Sequence, residues 1–342
     1  MAKVELSLMK EKVKEVFVRL GTPTADAEIM AEVLTDTQEK GILTHGYVRV
    51  PKYAHSVKCG GIKPCGEASI VVDTPSWALV DGGGGLGIVV ARKATDIAIA
   101  KARATGIGIV NVRNSHHLGA AGYYAGLCAD EGMIGVSMSN GDALVAVTGS
   151  CEKSIGNNPF SYAVPAGKYG KIIYDIAISA GSDMKIYAMK DHGERVPDGW
   201  MIDKDGKPSN DPDDYIERGG VLLPFGGYKG YGLGMMVEMF AAVLSGAANT
   251  TDVHAWNTTP GESGNVGHFI MAMDVSRIDN RDEFVGRVER VLDKMLSAKL
   301  ADGTDKIYYP GEKEKIQKEI CEKEGLVEVD DAILAKIEEL LA

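Results

Sequence analysis

Two of the chain's seven histidines stand side by side, at His116 and His117. Before them, Ile107-Gly108-Ile109-Val110-Asn111-Val112 has the β-branched composition of a strand. After them, Ala120 to Ala129 is small and aromatic and reads as a helix. The pair therefore falls at a strand-to-helix turn, where open α/β sheets place their ligands. A histidine there can exchange a proton near pH 7. Capping the helix is the structural alternative for the same ring.

A second cluster lies upstream. Thr44, His45, Arg49 and Tyr53 put a hydroxyl, an imidazole, a guanidinium and a phenol within ten residues. If Gly46 to Tyr53 is helical, His45, Arg49 and Tyr53 share one face, with Pro51 limiting the regularity of that helix. Arginine suits a carboxylate gripped by two parallel hydrogen bonds. A lone arginine is as easily spent on a surface ion pair, but this one has polar company. Lys229, at the start of a long apolar helix, sets a cation beside free helix N–H groups and suits an anion. A lysine snorkelling to solvent is the plainer reading of that residue alone.

The elements that must position these groups are legible in outline. Leu6, Met9, Val13, Val16, Phe17 and Leu20 mark a first amphipathic helix, and a second runs to about Lys40. Short strands follow at 70–72 and 77–81, then a helix over 88–103 and the strand before the histidines. Further strands are expected at 133–139, 161–165, 171–177 and 267–274. The span 194–217 is polar, carries Pro197, Pro208 and Pro212, and reads as an exposed excursion. Residues 235–247 are apolar almost all round, interrupted by Glu238, which predicts a buried helix. Gly82, Gly84 and Gly87 satisfy GxGxxG, but the next strand ends in Asn111-Val112-Arg113 without the acidic partner such a fingerprint requires. The match is set aside as a coincidence of a glycine-rich segment.

Composition excludes several classes. The chain has 342 residues, 45% of them hydrophobic and 25% charged, enough for two domains or one large α/β domain. A net charge of −11 argues against a nucleic-acid surface. Five cysteines without a CxxC spacing argue against a disulfide framework and a zinc knuckle, so no metal site is expected and a reducing cytoplasm fits. No stretch approaches the ~18 apolar residues of a membrane span, and the charged N-terminus has no signal-peptide core.

Several separated motifs together resemble one family. They are Thr44-His45-Gly46 with Arg49, Ser115-His116-His117-Leu118-Gly119, Gly156-Asn157-Asn158-Pro159, Asp175-Ile176-Ala177, Pro224 to Gly232, and Tyr309-Pro310-Gly311-Glu312. In this order they resemble the malate/L-lactate dehydrogenase family of the second type, which includes ureidoglycolate, sulfolactate and diketogulonate enzymes and a cyclic-imine reductase. The resemblance implies an α/β fold whose mixed-sheet cofactor domain (71–277) is not a usual Rossmann fold. A helical domain would be built from both chain ends, 1–70 with 278–342.

The resemblance also implies roles. His117 is the proton-exchanging residue, with His45 and Thr44 as catalytic neighbours. Arg49, Tyr53, Asp142 and Asn157 meet the substrate. His117, Leu118, Gly119, Ala120, Gly141, Asp175, Ile176, Ala177, Lys229, Pro310 and Gly311 meet NAD or NADP, with NAD ahead. A homodimer is expected, and the substrate is a small 2-hydroxy acid, L-malate first. Ureidoglycolate, sulfolactate and lactate remain alternatives. The family's imine reductases carry an aspartate after an Arg/His-Gly pair; the matching stretch here, Asp183-Met184-Lys185, lacks that arrangement, which counts against imine reduction. A histidine-based hydrolase is a further class, but no GxSxG elbow occurs.

Overall fold

The computed structural model describes all 342 residues. Strand β1 (Ala2–Glu5) leads into α1 (Leu6–Arg19) and α2 (Thr24–Glu39). Met9, Val13, Val16 and Phe17 recur at helical spacing on α1 and are at most 1% exposed. A 3-10 turn, Tyr47–Arg49, precedes α3 (Val50–Cys59). Pro51 sits in the first turn of α3, where a missing N–H leaves no bond unmade. The His45, Arg49 and Tyr53 face is thus built from a turn joined to a helix, not from one helix.

The central layer follows as β2 (Ser69–Asp73), β3 (Trp77–Asp81), α4 (Gly87–Thr105), β4 (Ile107–Ser115), α5 (Ala121–Asp130), β5 (Ile134–Ser139), β6 (Phe160–Pro165) and β7 (Lys171–Ile176). Next come α6 (Asp183–Asp191), β8 (Met201–Ile202), β9 (Pro208–Ser209), α7 (Pro212–Ile216), β10 (Val221–Leu222) and α8 (Tyr228–Val237), which continues as a π-helical turn, Glu238–Val243. The chain closes with β11 (Val266–Met273), α9 (Arg281–Leu296), α10 (Glu312–Glu324), β12 (Leu326–Val329) and α11 (Asp331–Leu341).

Seven strands form one sheet in the order β2-β3-β4-β11-β5-β6-β7. Only β3 and β4 pair in parallel. The late strand β11 is inserted antiparallel between β4 and β5, so those two run the same way and end at one edge. This mixed sheet is unlike the parallel doubly wound sheet of a usual dinucleotide domain. The two chain ends meet: β1 pairs with β12, and α1 packs on α11. One continuous core runs from Met9 and Phe17 through Tyr47 and Tyr53 to Val110 and Ile270, so helices and sheet are not separated by a gap in packing.

Two sequence expectations are corrected. The 194–217 excursion is not simply exposed: β8, β9 and β10 make a small sheet, and Ile186, Val196, Met201, Tyr215 and Leu222 bury a core of their own. Its polar residues cap and pair, as Arg218 does with Asp211 and Asp214. The helix after Tyr228 is not buried all round. It packs Val237 and Ala241 inward but leaves Tyr228, Met239, Phe240, Val243 and Leu244 between 41% and 71% exposed.

Candidate functional site

The edge where β4 and β5 end opens into a cleft of about 850 Å³. His116 and His117 occupy the turn between Ser115 and α5. That turn lies tight against the start of α4. A Cβ on Gly87 would sit 1.9 Å from the His116 carbonyl oxygen, so only glycine lets the helix approach there. The last glycine of the set-aside fingerprint therefore serves packing. The Gly82–Gly85 loop lies outside the cleft and is held by Asp81 and Asn114.

His117 is fixed by three contacts. The Tyr53 hydroxyl lies 2.7 Å from Nδ1 and 2.9 Å from the His117 carbonyl oxygen. The Gly119 N–H lies a longer 3.2 Å from Nδ1. The Gly119 N–H and an Nδ1–H exclude one another: with Gly119 donating, Nδ1 is an acceptor; with that longer contact given up, Tyr53 donates to the carbonyl, accepts Nδ1–H and leaves the Nε2 lone pair free. His45 and Trp256 flank the imidazole, with ring planes within 19° and 21° of its own. The stacked rings cover its faces and leave an edge for chemistry.

Burial is the main electrostatic influence here, followed by the Arg49 charge and then other neighbours. Together they push the His117 imidazole well below its ordinary range. His45 is pushed down to about 3, again by burial first and then by Arg49 and Lys52. Both rings thus fall below the range near pH 7 in which an ordinary histidine exchanges a proton. His116 goes down to about 4; it is 4% exposed, packs against Trp256, and its Nδ1 has no partner.

Thr44 bonds His45 Nδ1 at 2.8 Å, and its carbonyl accepts Arg49 Nε–H at 2.7 Å. That fixes the guanidinium from behind. Arg49 is 6% exposed and pairs with no carboxylate of the chain. One turn on, Lys52 lies 4.4 Å from the Trp256 ring centre and also lacks an acidic partner. Burial, then the Arg49 charge, pushes it down to about 8. Sequence reading missed Lys52, although its i, i+3 spacing from Arg49 was available. It also missed Trp256, for which no local signal exists, because its loop reaches His117 only through the fold.

Thr44, His45, Arg49, His117, Asp142 and Asn157 all line the cleft. Leu118, Gly119, Ala120, Gly141, Asp175, Ile176, Ala177, Pro310 and Gly311 line it too. Two expected residues do not. Tyr53 is fully buried and spent on His117, so it stands behind the imidazole rather than against substrate. Lys229 is exposed outside the cleft of its own chain, because α8 packs through Gly234 on Ile155 and Ile178. The discounted Asp183 does line the cleft, at the first turn of α6, and its charge opposes the lowering of Arg49 and Lys52.

The far wall is built around Asp175. Its Oδ2 accepts the Gly122 N–H at 2.7 Å, tying β7 to the start of α5. Asp175 is exposed to the cleft, yet the cleft walls crowding it push its carboxyl up to about 6, against the effect of that hydrogen bond. Pro310 joins β7 through the Ile173 N–H at 3.1 Å, and Gly311 follows with φ +89°. At Gly141 a side chain would project into the cleft, since only Asn157 Oδ1 lies within 4 Å of a Cβ there. A long cleft with a glycine wall and a mid-way carboxyl suits an extended dinucleotide. The opposite end, an imidazole edge beside unpaired cations, suits proton exchange with a small carboxylate.

The comparisons with known proteins agree with that class. The malate/L-lactate dehydrogenase family pattern matches residues 4–338. The malate dehydrogenase of Pyrococcus abyssi (strain GE5 / Orsay) is 40% identical over 308 residues, covering 88% of this chain and 84% of its own. The L-sulfolactate dehydrogenase of Methanocaldococcus jannaschii is 36% identical over 331 residues, covering 97% and 94%. The crystal structure of malate dehydrogenase from Entamoeba histolytica matches with a TM-score of 0.94 at 29% identity, covering 99% of this chain and 97% of its own. The chain belongs to the malate/L-lactate dehydrogenase family. It is an oxidoreductase of 2-hydroxy acids that works with a nicotinamide cofactor. No helix is long and apolar enough to cross a membrane.

Proposed function

We propose that the chain interconverts L-malate and oxaloacetate. The observation that carries this reading is the pair of cations, Arg49 and Lys52, one turn apart on one cleft wall and without acidic partners. A cation drawn away from water and left unpaired by its own chain, as the buried Arg49 and the half-buried Lys52 are, is costly unless a ligand supplies the counter-charge. Two of them suit a substrate with two anionic ends. The relatives named for malate and for sulfolactate act on hydroxy acids of that kind. Lactate and ureidoglycolate would leave one cation without an anion, so they rank behind.

The nicotinamide, when bound, supplies the hydride chemistry. The chain's residues do the rest. Arg49, anchored by the Thr44 carbonyl, presents its outer nitrogens to the carboxylate next to the carbinol. Lys52 meets the distal carboxylate. In oxidation His117 Nε2 takes the hydroxyl proton while Nδ1–H is held by Tyr53. The same bonds to Tyr53 serve the imidazolium, while the 3.2 Å Gly119 N–H contact to Nδ1 is given up when Nδ1 carries a proton. His45, oriented by Thr44, keeps the His117 ring in place by stacking. Asp142, whose carboxyl burial pushes up, adds a polar wall beside the cations. Asn157, Asp175, Ile176, Ala177, Leu118, Gly119, Ala120, Gly141, Pro310 and Gly311 are assigned to orienting the bound molecules.

NAD is preferred over NADP in this reading. The lysines at the far end of the cleft are paired already: Lys40 and Lys318 with Asp36, Lys171 with Asp130, Lys315 with Glu319. Lys40 and Lys318 are the more firmly held of these, which weighs against a 2′-phosphate there. The exposed apolar face of α8 and its π-turn, at Phe240, Val243 and Leu244, is assigned to a second copy of the chain. Val243→Glu is expected to halve the sedimenting mass; an unchanged mass would remove the homodimer. The division into 1–70 with 278–342 and 71–277 is supported by the β1–β12 pairing of the chain ends, although α9 packs on the Gly167–Tyr169 turn of the central part. A cytoplasmic setting is supported by five free thiols.

The pH dependence follows from the lowered groups. A depressed imidazole stays unprotonated, and so active as a base, well into acid. The acid limb of kcat/KM for malate oxidation is therefore expected below pH ~6.5. Reduction needs the imidazolium, so its kcat/KM rises as pH falls. Above pH about 8 Lys52 loses its charge, and the KM for a diacid should climb. An acid limb at or above the ordinary histidine value, read from initial rates over pH, contradicts this assignment.

A further inference from the structure

Beyond Lys229 the helix that begins at Tyr228 is apolar apart from Glu238, and that carboxylate is 1% exposed. It opens the π-helical turn Glu238–Val243, lies outside the cleft, and pairs with no cation. Its two oxygens take three N–H groups. Oε1 accepts the Thr250 backbone N–H at 2.8 Å and Asn140 Nδ2 at 3.4 Å; Oε2 accepts Asn158 Nδ2 at 2.6 Å. The amide orientations are fixed independently. Asn140 Nδ2 also donates to the Ala248 carbonyl, while its Oδ1 accepts the Gly267 N–H, each at 2.8 Å. Asn158 Nδ2 also donates to the Gly234 carbonyl at 3.1 Å. Every partner thus presents a donor, and only a carboxylate accepts from all three. A glutamine of the same size would set its NH₂ against an N–H.

Each donor begins or adjoins a wall of the cleft. Asn140 precedes Gly141 and Asp142, Asn158 follows Asn157, and Thr250 opens the segment that lays Trp256 on His117. These segments are far apart in sequence and meet at one buried side chain. We propose that Glu238 is a positioning residue that sets the substrate end of the cleft by holding these three wall segments on one carboxylate. Its link to turnover rests on the dehydrogenase reading of the cleft; the geometry it sets does not.

The test is Glu238→Gln in protein labelled with 5-fluorotryptophan, whose three tryptophans give three fluorine resonances. Tryptophan-to-phenylalanine variants assign them. The Trp256 resonance is expected to shift or broaden while that of Trp200 stays. The kcat/KM for the best hydroxy acid should fall about tenfold to a hundredfold, the cost of a small misplacement of reacting groups. Cofactor affinity should fall less than kcat/KM, because of the cofactor wall only Gly141 adjoins a Glu238 partner, while Asp175 and Gly311 are not tied to it. Asn158→Gly covers the case of a variant that fails to fold: it removes one donor and tolerates φ +34°, and should move the same resonance less. An unmoved Trp256 resonance in a folded variant overturns the proposal, as does equal broadening of all three. A moved Trp256 resonance in an enzyme with no hydroxy-acid turnover keeps the proposal and rejects the dehydrogenase substrate instead.

Discussion

Replacing His117 with asparagine is expected to lower kcat about a thousandfold while the fold and cofactor binding survive. The size follows from the task. Positioned proton transfer contributes roughly 10²–10⁴ in rate, and no other group in the cleft duplicates this one. His45 stacks beside it but has its Nδ1 engaged by Thr44. His116 lies against the other ring system, with its Nδ1 closed off from solvent. Asparagine keeps a polar atom near the position of Nδ1, so Tyr53 is not left without a partner. His116→Asn serves as the contrast and should cost much less in kcat. Steady-state and single-turnover rates on both variants decide between the neighbours. Near-normal turnover by His117→Asn alongside a dead His116→Asn would mean that the proton passes through the wrong ring in this account.

Lys52→Met is expected to change the substrate preference. Truncating one partner of a desolvated charge pair costs about 2–5 kcal/mol, so kcat/KM for malate should fall about a hundredfold, at roughly 1.4 kcal/mol per factor of ten. Lactate has no distal carboxylate, and its kcat/KM should change less than about threefold. Methionine keeps the packing over the Trp256 ring, which Lys52 now covers at 4.4 Å. The effect then reads charge rather than a hole. Equal losses for malate and lactate would show that Lys52 supports the wall generally and does not read the second carboxylate. Arg49→Met should damage both substrates, since both carry the carboxylate next to the reacting carbon.

Much of this was legible in the chain. The spacing of Met9, Val13, Val16 and Phe17 marks α1 because a helix buries one stripe. The β-branched run before His116 and the apolar composition of 133–139 mark β4 and β5. What could not be read is whatever depends on partners far apart in sequence. The place of β11 between β4 and β5 is a pairing choice, and nothing local specifies it. Tyr53 shares a face with Arg49, yet the fold turns its phenol onto His117, 64 residues away. Lys229 has the sequence of an anion site, but the packing of Gly234 faces it elsewhere. The lowering of His117 is hidden from the sequence for the same reason: it comes first from burial and then from Arg49 and His45, which tertiary structure brings to the ring.

The most direct test follows nicotinamide absorbance with purified protein, NADH, and a panel of oxaloacetate, pyruvate, and a cyclic imine carboxylate. The two-cation cleft predicts that kcat/KM for oxaloacetate exceeds that for pyruvate by about a hundredfold or more, with no reduction of the imine. Pyruvate or the imine reduced as efficiently as oxaloacetate would contradict it.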